Sequence, residues 1–65
     1  MFPNIRAEMA RKNMTIVTLS ELTGIRYQTL SDKLRGHGII TLDDAVRIKN
    51  ALDTDIALET LFCND

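Results

Sequence analysis

The chain has few of the residues that mark secreted or membrane proteins. Its 65 residues include one cysteine, one proline and no tryptophan. A disulfide needs two cysteines, so Cys63 cannot form one within the chain, and a reducing cytoplasm fits this composition. No apolar run approaches the roughly 18 residues that a membrane span needs. Arg6, Glu8, Arg11 and Lys12 would interrupt the apolar core of a signal peptide. We expect a cytoplasmic protein with no membrane partner.

Groups that carry catalysis or bind metals are also scarce. His37 is the one histidine, and with Cys63 and scattered carboxylates it does not make a set of metal ligands. No base pattern beside Cys63 would activate it as a nucleophile. Asp43 and Asp44 are adjacent carboxylates, but a place in a first helical turn explains them, because anions are favoured there. There is no glycine-rich phosphate loop. We therefore expect no enzyme activity, metal, cofactor or small-molecule substrate.

The composition is that of a small globular protein. Hydrophobic residues make up 45% of the chain and charged residues 26%, which argues against disorder. A chain this short forms one domain, residues 1–65, and buries only roughly 60% of its unfolded surface. We expect a marginally stable domain that folds without a metal or a disulfide.

The charge is divided unevenly along the chain. The formal net charge is −1, which is unfavourable for binding nucleic acid. Residues 1–36 hold six basic and three acidic residues, a charge of +3, whereas residues 37–65 hold two basic and six acidic residues, a charge of −4. A chain with a basic half can present a positive face to DNA. A mixed, solvated surface would account for the same numbers.

The most informative stretch is TLSELTGIRYQTLSDKLRG, residues 18–36. Leu19 and Leu22 are three residues apart, and Leu30 and Leu34 are four apart, so each pair is expected on one face of a helix. Between the pairs, Gly24 can adopt the positive φ that often follows a helix end. Two helices joined by a short turn with a glycine form a helix-turn-helix.

The apolar spacing predicts five helices, over about residues 3–12, 16–23, 26–35, 42–52 and 56–62. Thr15 is a candidate cap for the second helix, and Thr41 with Asp44 forms a capping-box pattern at the fourth. We expect an all-α bundle. The residues expected on buried helix faces, with Ala10 as a further candidate, are Ile5, Met9, Leu19, Leu22, Leu30, Leu34, Leu42, Ala45, Ile48, Leu52, Leu58, Leu61 and Phe62.

Nearly the whole chain resembles the Cro/phage-repressor family of helix-turn-helix domains, also called lambda-repressor-like or XRE. The resemblance runs through IRAEMARKNMT, LSELTGIRYQTLSDKLRG and ITLDDAVRIKNALDTDIALETLF. Gly24 matches the turn glycine, Leu30 the buried leucine of the recognition helix, and Gly36 the glycine that ends it. The resemblance implies a compact five-helix domain that binds DNA without a cofactor and controls transcription, often in a phage or prophage.

Two positions depart from the family pattern. The second helix often opens with a glutamine that contacts a phosphate, and here Ile16 stands there. The recognition helix often begins with a serine or threonine cap, and here Arg26 stands there. An uncapped start costs about 0.5–2 kcal/mol. Either DNA binding by Arg26 or unusual capping by Thr23 could offset that cost.

The second motif helix supplies the candidate DNA-binding residues. Its outward face is expected to carry polar side chains able to reach phosphates and base edges. The candidates are Arg26, Tyr27, Gln28, Ser31, Asp32 and Arg35.

These candidates are expected to have different roles. Gln28 can pair with adenine through two hydrogen bonds, and Ser31 could approach a base. Tyr27 could contact a thymine methyl group, donate to a phosphate, or pack in the core. Arg26 and Arg35 are expected to bind phosphates.

Two further charges on this helix are harder to assign. Asp32 could accept from a cytosine amine, or form an ion pair with Arg35 or Arg26. Lys33 is expected to be solvated or to face a phosphate.

The sequence thus predicts a sequence-specific regulator that places residues 26–35 in the major groove of a double-stranded operator. If a homodimer forms, we expect it to use the C-terminal half, where Leu61, Phe62 and Cys63 leave apolar surface. The competing hypothesis is a protein-interaction module or an antitoxin-like partner of another regulator, which the low net charge favours.

Overall fold

A computed structural model describes residues 2–63, and every regular element in that range is an α-helix. The five helices are α1 (Pro3–Arg11), α2 (Ile16–Thr23), α3 (Tyr27–Leu34), α4 (Leu42–Leu52) and α5 (Leu58–Leu61). The predicted all-α, five-helix class is confirmed. The predicted bounds of α2 and α4 match, whereas α1 and α3 are slightly shorter than expected and α5 is a single turn.

Two threonine caps set where α2 and α4 begin. The Thr15 hydroxyl accepts a hydrogen bond from the Thr18 N–H at 3.2 Å. At α4, the Thr41 hydroxyl accepts from the Asp44 N–H, and the Asp44 carboxylate accepts in return from the Thr41 N–H. Each bond satisfies an N–H that has no partner inside its helix. Both predicted caps are confirmed.

The turn between α2 and α3 depends on Gly24. Its φ is +76°, in the left-handed region, and its N–H donates to the Ser20 carbonyl. The Ser20 hydroxyl in turn donates to the Ile25 carbonyl at 2.5 Å, which closes the turn from the other side. The prediction of a positive φ at Gly24 is confirmed, and the reversal places Ile25 in the core.

The core lies where all five helices converge. α2 packs against α3 and α4, and α5 packs against α1 and α4. The largest fully buried side chains come from every helix, and they are Ile5, Leu19, Leu30, Ile48, Leu52 and Leu61. The N- and C-terminal ends are joined by the rings of Phe2 and Phe62, whose centroids lie 5.6 Å apart in an edge-to-face arrangement.

Two leucines predicted to be buried are exposed. Leu22 is 58% exposed, because α3 and α4 cover the side of α2 that carries Leu19 and Thr23. Leu42 is 74% exposed and borders a surface groove at the start of α4. Ala10, the further candidate on α1, is also exposed. Helical spacing identified the helices correctly but assigned too wide a buried face to α2 and α4.

The C-terminal helix closes the core less fully than expected. Leu61 is buried, whereas Leu58 and Phe62 are partly exposed. Of the helices formed by residues 2–63, none is long and apolar enough to cross a bilayer.

Candidate nucleic-acid interface

The second motif helix begins without a side-chain cap. Arg26 is the N-cap residue, and its side chain makes no capping hydrogen bond to the described residues. Thr23 does not cap α3 either: its hydroxyl donates to the Leu19 carbonyl at 2.8 Å and accepts from the Ile25 N–H at 3.2 Å. The suggestion that Thr23 caps this helix is therefore wrong. The positive end of the α3 dipole is left facing solvent beside Arg26.

Gln28, Asp32 and Arg35 form a line along the outward side of α3. Their spacing of four and three residues places them one above another. The Gln28 side-chain amide donates to Asp32 Oδ1 at 3.0 Å. The Arg35 guanidinium donates to the same oxygen at 3.4 Å. The ion pair between Asp32 and Arg35, one of the two interpretations of Asp32, is thus present. Leu30 and Leu34 are buried and Gln28 is exposed, as predicted.

Ser31 does not lie on the outward face. It is only 8% exposed, on the same side of α3 as Leu30 and Leu34. The reason is geometric, since positions 30, 31 and 34 of a helix are neighbours on one side. The expected outward placement of Ser31 is wrong.

Lys33 is neither solvated nor free to face a phosphate. Its side chain is 20% exposed, and its ammonium nitrogen lies 2.5 Å from Asp44 Oδ2. The hydrogen bond from Lys33 holds the pKa of Asp44 below its usual value, helped by the Thr41 N–H and opposed by burial. The pair ties α3 to the start of α4, so Lys33 contributes to helix position instead of to surface charge.

A sequence model of the helix-turn-helix family matches residues 5–58, which span α1 to the start of α5. The chain belongs to the Cro/C1-type, XRE-like helix-turn-helix family. This is a family of DNA-binding regulators. No curated protein and no solved structure shows a significant match.

Within this helix-turn-helix domain, four of the predicted site residues are exposed, three at the start of α3 and one at its end. Arg26, Tyr27, Gln28 and Arg35 are all exposed. Tyr27 is therefore not a core residue, although packing was one of its expected roles.

Sequence reasoning missed two residues beside this surface. Thr29 is exposed next to Gln28. Arg6 of α1 lines the same surface groove as Arg35, together with Ile16 at the start of α2. Helical periodicity could have found Thr29, because it lies on the side of α3 away from Leu30. Nothing in the sequence connects Arg6 with Arg35, because their shared groove depends on where the fold places α1 relative to the end of α3.

Clusters that could hold a metal do not occur within residues 2–63: no group of three or more histidine, cysteine, aspartate or glutamate side chains lies close enough together.

The described part of the chain offers polar and basic side chains on the surface of α3. That surface suits hydrogen bonding and ion pairing with a large polar partner.

Proposed function

We propose that this domain is a sequence-specific transcriptional regulator that places α3 in the major groove of double-stranded operator DNA. The observation that carries the proposal is the position of Gln28. It is exposed in the first turn of the second motif helix, while Leu30 and Leu34 fix the opposite side in the core. In helix-turn-helix proteins the N-terminal residues of this helix contact base edges.

The exposed side chains divide naturally into base readers and phosphate ligands. Gln28 offers the donor and acceptor that adenine recognition needs. Tyr27, in the same turn, is suited to a thymine methyl group or a phosphate. Arg26 and Arg35 lie at the two ends of α3 and suit the phosphates on either side of the groove. Ser31 has no place in this proposal because it is buried.

Arg6 extends the basic surface beyond α3. It shares a groove with Arg35 at the start of α2, so both guanidinium groups can bind the same stretch of DNA backbone. These two basic residues support DNA binding despite the net charge of −1. Phosphate binding depends on the local field at the contact surface more than on the total charge.

We further propose that a second copy of the chain binds at the C-terminal half. Of the three residues expected to leave apolar surface there, Leu61 is buried, whereas Phe62 and Cys63 are partly exposed. Other residues extend this apolar surface: Ile39 is 83% exposed, and Leu42 borders a groove that Phe62 lines together with Ile40 and Leu58. A two-fold dimer would present two α3 helices about 34 Å apart, matching successive major grooves.

Within this proposal the protein acts in the cytoplasm as a Cro/repressor-like regulator of the kind found in phages and prophages. Membership of the helix-turn-helix family supports this assignment. The protein needs no cofactor for it, because DNA recognition by this motif uses side chains and backbone alone.

Selection of bound duplexes from a random DNA pool tests the proposal. We expect one enriched sequence, with an affinity that falls steeply as salt rises, because binding releases counterions from the phosphates. If no sequence is enriched and no duplex binds at low salt, the regulator proposal is wrong. The protein-interaction module, favoured by the acidic residues 37–65, would then be the better explanation.

A further inference from the structure

We propose that Asp32 sets base specificity indirectly, by fixing the Gln28 side-chain amide in the orientation that reads adenine. The inference rests on the proposed function and deepens it at one position. It makes Asp32 a positioning residue for Gln28 and not itself a ligand of a base. The geometry behind it is the hydrogen bond from Gln28 Nε2 to Asp32 Oδ1, 3.0 Å long.

The chemistry of the carboxylate determines which way the amide faces. An ionised aspartate accepts hydrogen bonds and cannot donate them, whereas a glutamine amide has a donor end and an acceptor end. Gln28 must therefore turn its NH₂ group towards Asp32. A flip of the amide would place two acceptor oxygens against each other, which is unfavourable.

This orientation leaves Gln28 with one free N–H and its carbonyl oxygen. Adenine presents an acceptor, N7, and a donor, the N6 amine, in the major groove, so it complements that pair. Guanine presents two acceptors, N7 and O6, and so would face the glutamine oxygen with an acceptor of its own. Holding the amide in this orientation therefore favours adenine over guanine.

Arg35 holds Asp32 from the other side. Its guanidinium donates to the same Oδ1 atom at 3.4 Å, and its positive charge offsets the negative charge of the carboxylate. Asp32 can thus lie among residues that approach DNA without placing an uncompensated negative charge opposite a phosphate. The side chain is held along the helix surface by two neighbours, which directs it to Gln28 and Arg35 and away from a base.

The test compares Asp32→Asn with the parent on duplexes selected by the parent. Asparagine can offer either a carbonyl or an amine to Gln28, so it no longer imposes one orientation. Gln28→Ala is measured first, to identify the base pair that Gln28 contacts. That base pair is the position at which the variant loses most of the parent's discrimination between bases. Affinities are then measured for duplexes with adenine or guanine at that position, alongside thermal unfolding of each protein.

A bidentate contact discriminates by roughly five- to 150-fold. We expect Asp32→Asn to lower the adenine-over-guanine ratio at that position by about fivefold or more, with other positions unchanged. In Gln28→Ala the further change Asp32→Asn should have no effect on this ratio. Asp43→Asn is the matched control: it makes the same charge change beside Arg47, its ion-pair partner on α4. It should leave the ratio unaltered.

Several results would overturn the inference. In one, Asp32→Asn keeps the full adenine preference. In another, Asp32→Asn loses discrimination at a base pair other than the one assigned to Gln28, which would mean that Asp32 contacts cytosine directly. Additive effects of Gln28→Ala and Asp32→Asn on the ratio would exclude coupling. Failure of the parent to select any duplex would refute the proposed function itself and, with it, this inference.

Discussion

The hydroxyl of Thr54 donates a 2.6 Å hydrogen bond to the carboxylate of Glu8, and both residues are buried. This contact joins α1 to the turn between α4 and α5. The other carboxylate oxygen accepts from Arg11 Nε at 2.9 Å. The hydrogen bond from Thr54, together with the charge of Arg11, holds the pKa of Glu8 below its usual value against the effect of burial. The ionised carboxylate is therefore favoured by the folded state.

The first prediction concerns the pH dependence of stability. A carboxyl group whose pKa is lowered by folding stabilises the fold above its unfolded pKa, about 4.3 for glutamate. That stabilisation is lost as pH falls through the folded value. Thr54→Val should lower the free energy of unfolding most near neutral pH, and the difference from the parent should shrink on acidification. Urea unfolding between about pH 7 and pH 3 measures this.

Two control variants separate the hydroxyl from other effects of the change. Thr54→Ser keeps a donor and should restore most of the stability near neutral pH. Thr29→Val makes the same substitution at an exposed site and should have little effect on the pH profile. Part of the Thr54→Val loss should persist in acid, because the hydroxyl also accepts from the Ile56 N–H. If the difference in unfolding free energy between Thr54→Val and the parent were constant with pH, the hydroxyl of Thr54 would not be what lowers the pKa of Glu8.

The second prediction tests the buried face of the motif helices with two leucines. Leu30 is fully buried and Leu22 largely exposed. Leu30→Ala should destabilise the fold by about 2–5 kcal/mol through lost contacts and a cavity. Leu22→Ala should change stability by no more than about 0.5 kcal/mol. Chemical unfolding gives both values, and equal losses at the two sites would contradict the packing of α2 and α3.

These leucines also show how far the sequence determined the fold. Periodicity and turn residues located all five helices, because each depends on neighbours a few residues away. Which side of α2 is buried depends on where α3 and α4 lie, and two leucines three residues apart do not contain that information. The spacing therefore predicted Leu19 correctly and Leu22 wrongly.

The candidate interface shows the same limit. Gln28 and Arg35 could be assigned to the exposed side of α3 from the positions of Leu30 and Leu34. Lys33 resembled a free surface cation, but its pairing with Asp44 requires the start of α4 to pack beside α3. Such contacts join residues distant in sequence, and helical patterning of single segments cannot predict them.

The third prediction concerns self-association through the C-terminal half. Leu42→Glu places a charge on the exposed apolar groove at the start of α4, and burying that charge between two copies would be costly. We expect the dimer dissociation constant to rise at least about tenfold, since even 1.4 kcal/mol has that effect. Sedimentation equilibrium measures it.

Val17→Glu is the matched control for that experiment, because Val17 is an exposed apolar residue on α2, outside the groove. Its dissociation constant should remain close to that of the parent. A parent chain that stays monomeric at high concentration, both alone and with operator DNA, would rule out the dimer. If both variants raised the dimer dissociation constant equally, the interface would not be centred on Leu42.

The last prediction separates the two kinds of DNA contact along α3. Gln28 lies in the first turn, which enters the groove most deeply in this motif, and Arg35 lies just past the last turn, where we expect it to meet the DNA backbone. Gln28→Ala should cost about 1–3 kcal/mol on the selected operator and less on random DNA. Arg35→Ala should weaken binding to both similarly and lower the salt slope by about one unit.

Arg6→Ala should behave like Arg35→Ala, because the two residues line one groove and each guanidinium group can neutralise a phosphate. Arg47→Ala is the control, since Arg47 lies on α4 and is paired with Asp43. It should leave the salt slope unchanged. Each of the four alanine variants is compared with the parent by titration of operator and random duplexes at several salt concentrations. An equal loss on every sequence for Gln28→Ala would remove it as a base reader. An unchanged slope for both Arg6→Ala and Arg35→Ala would place the DNA backbone elsewhere on the domain.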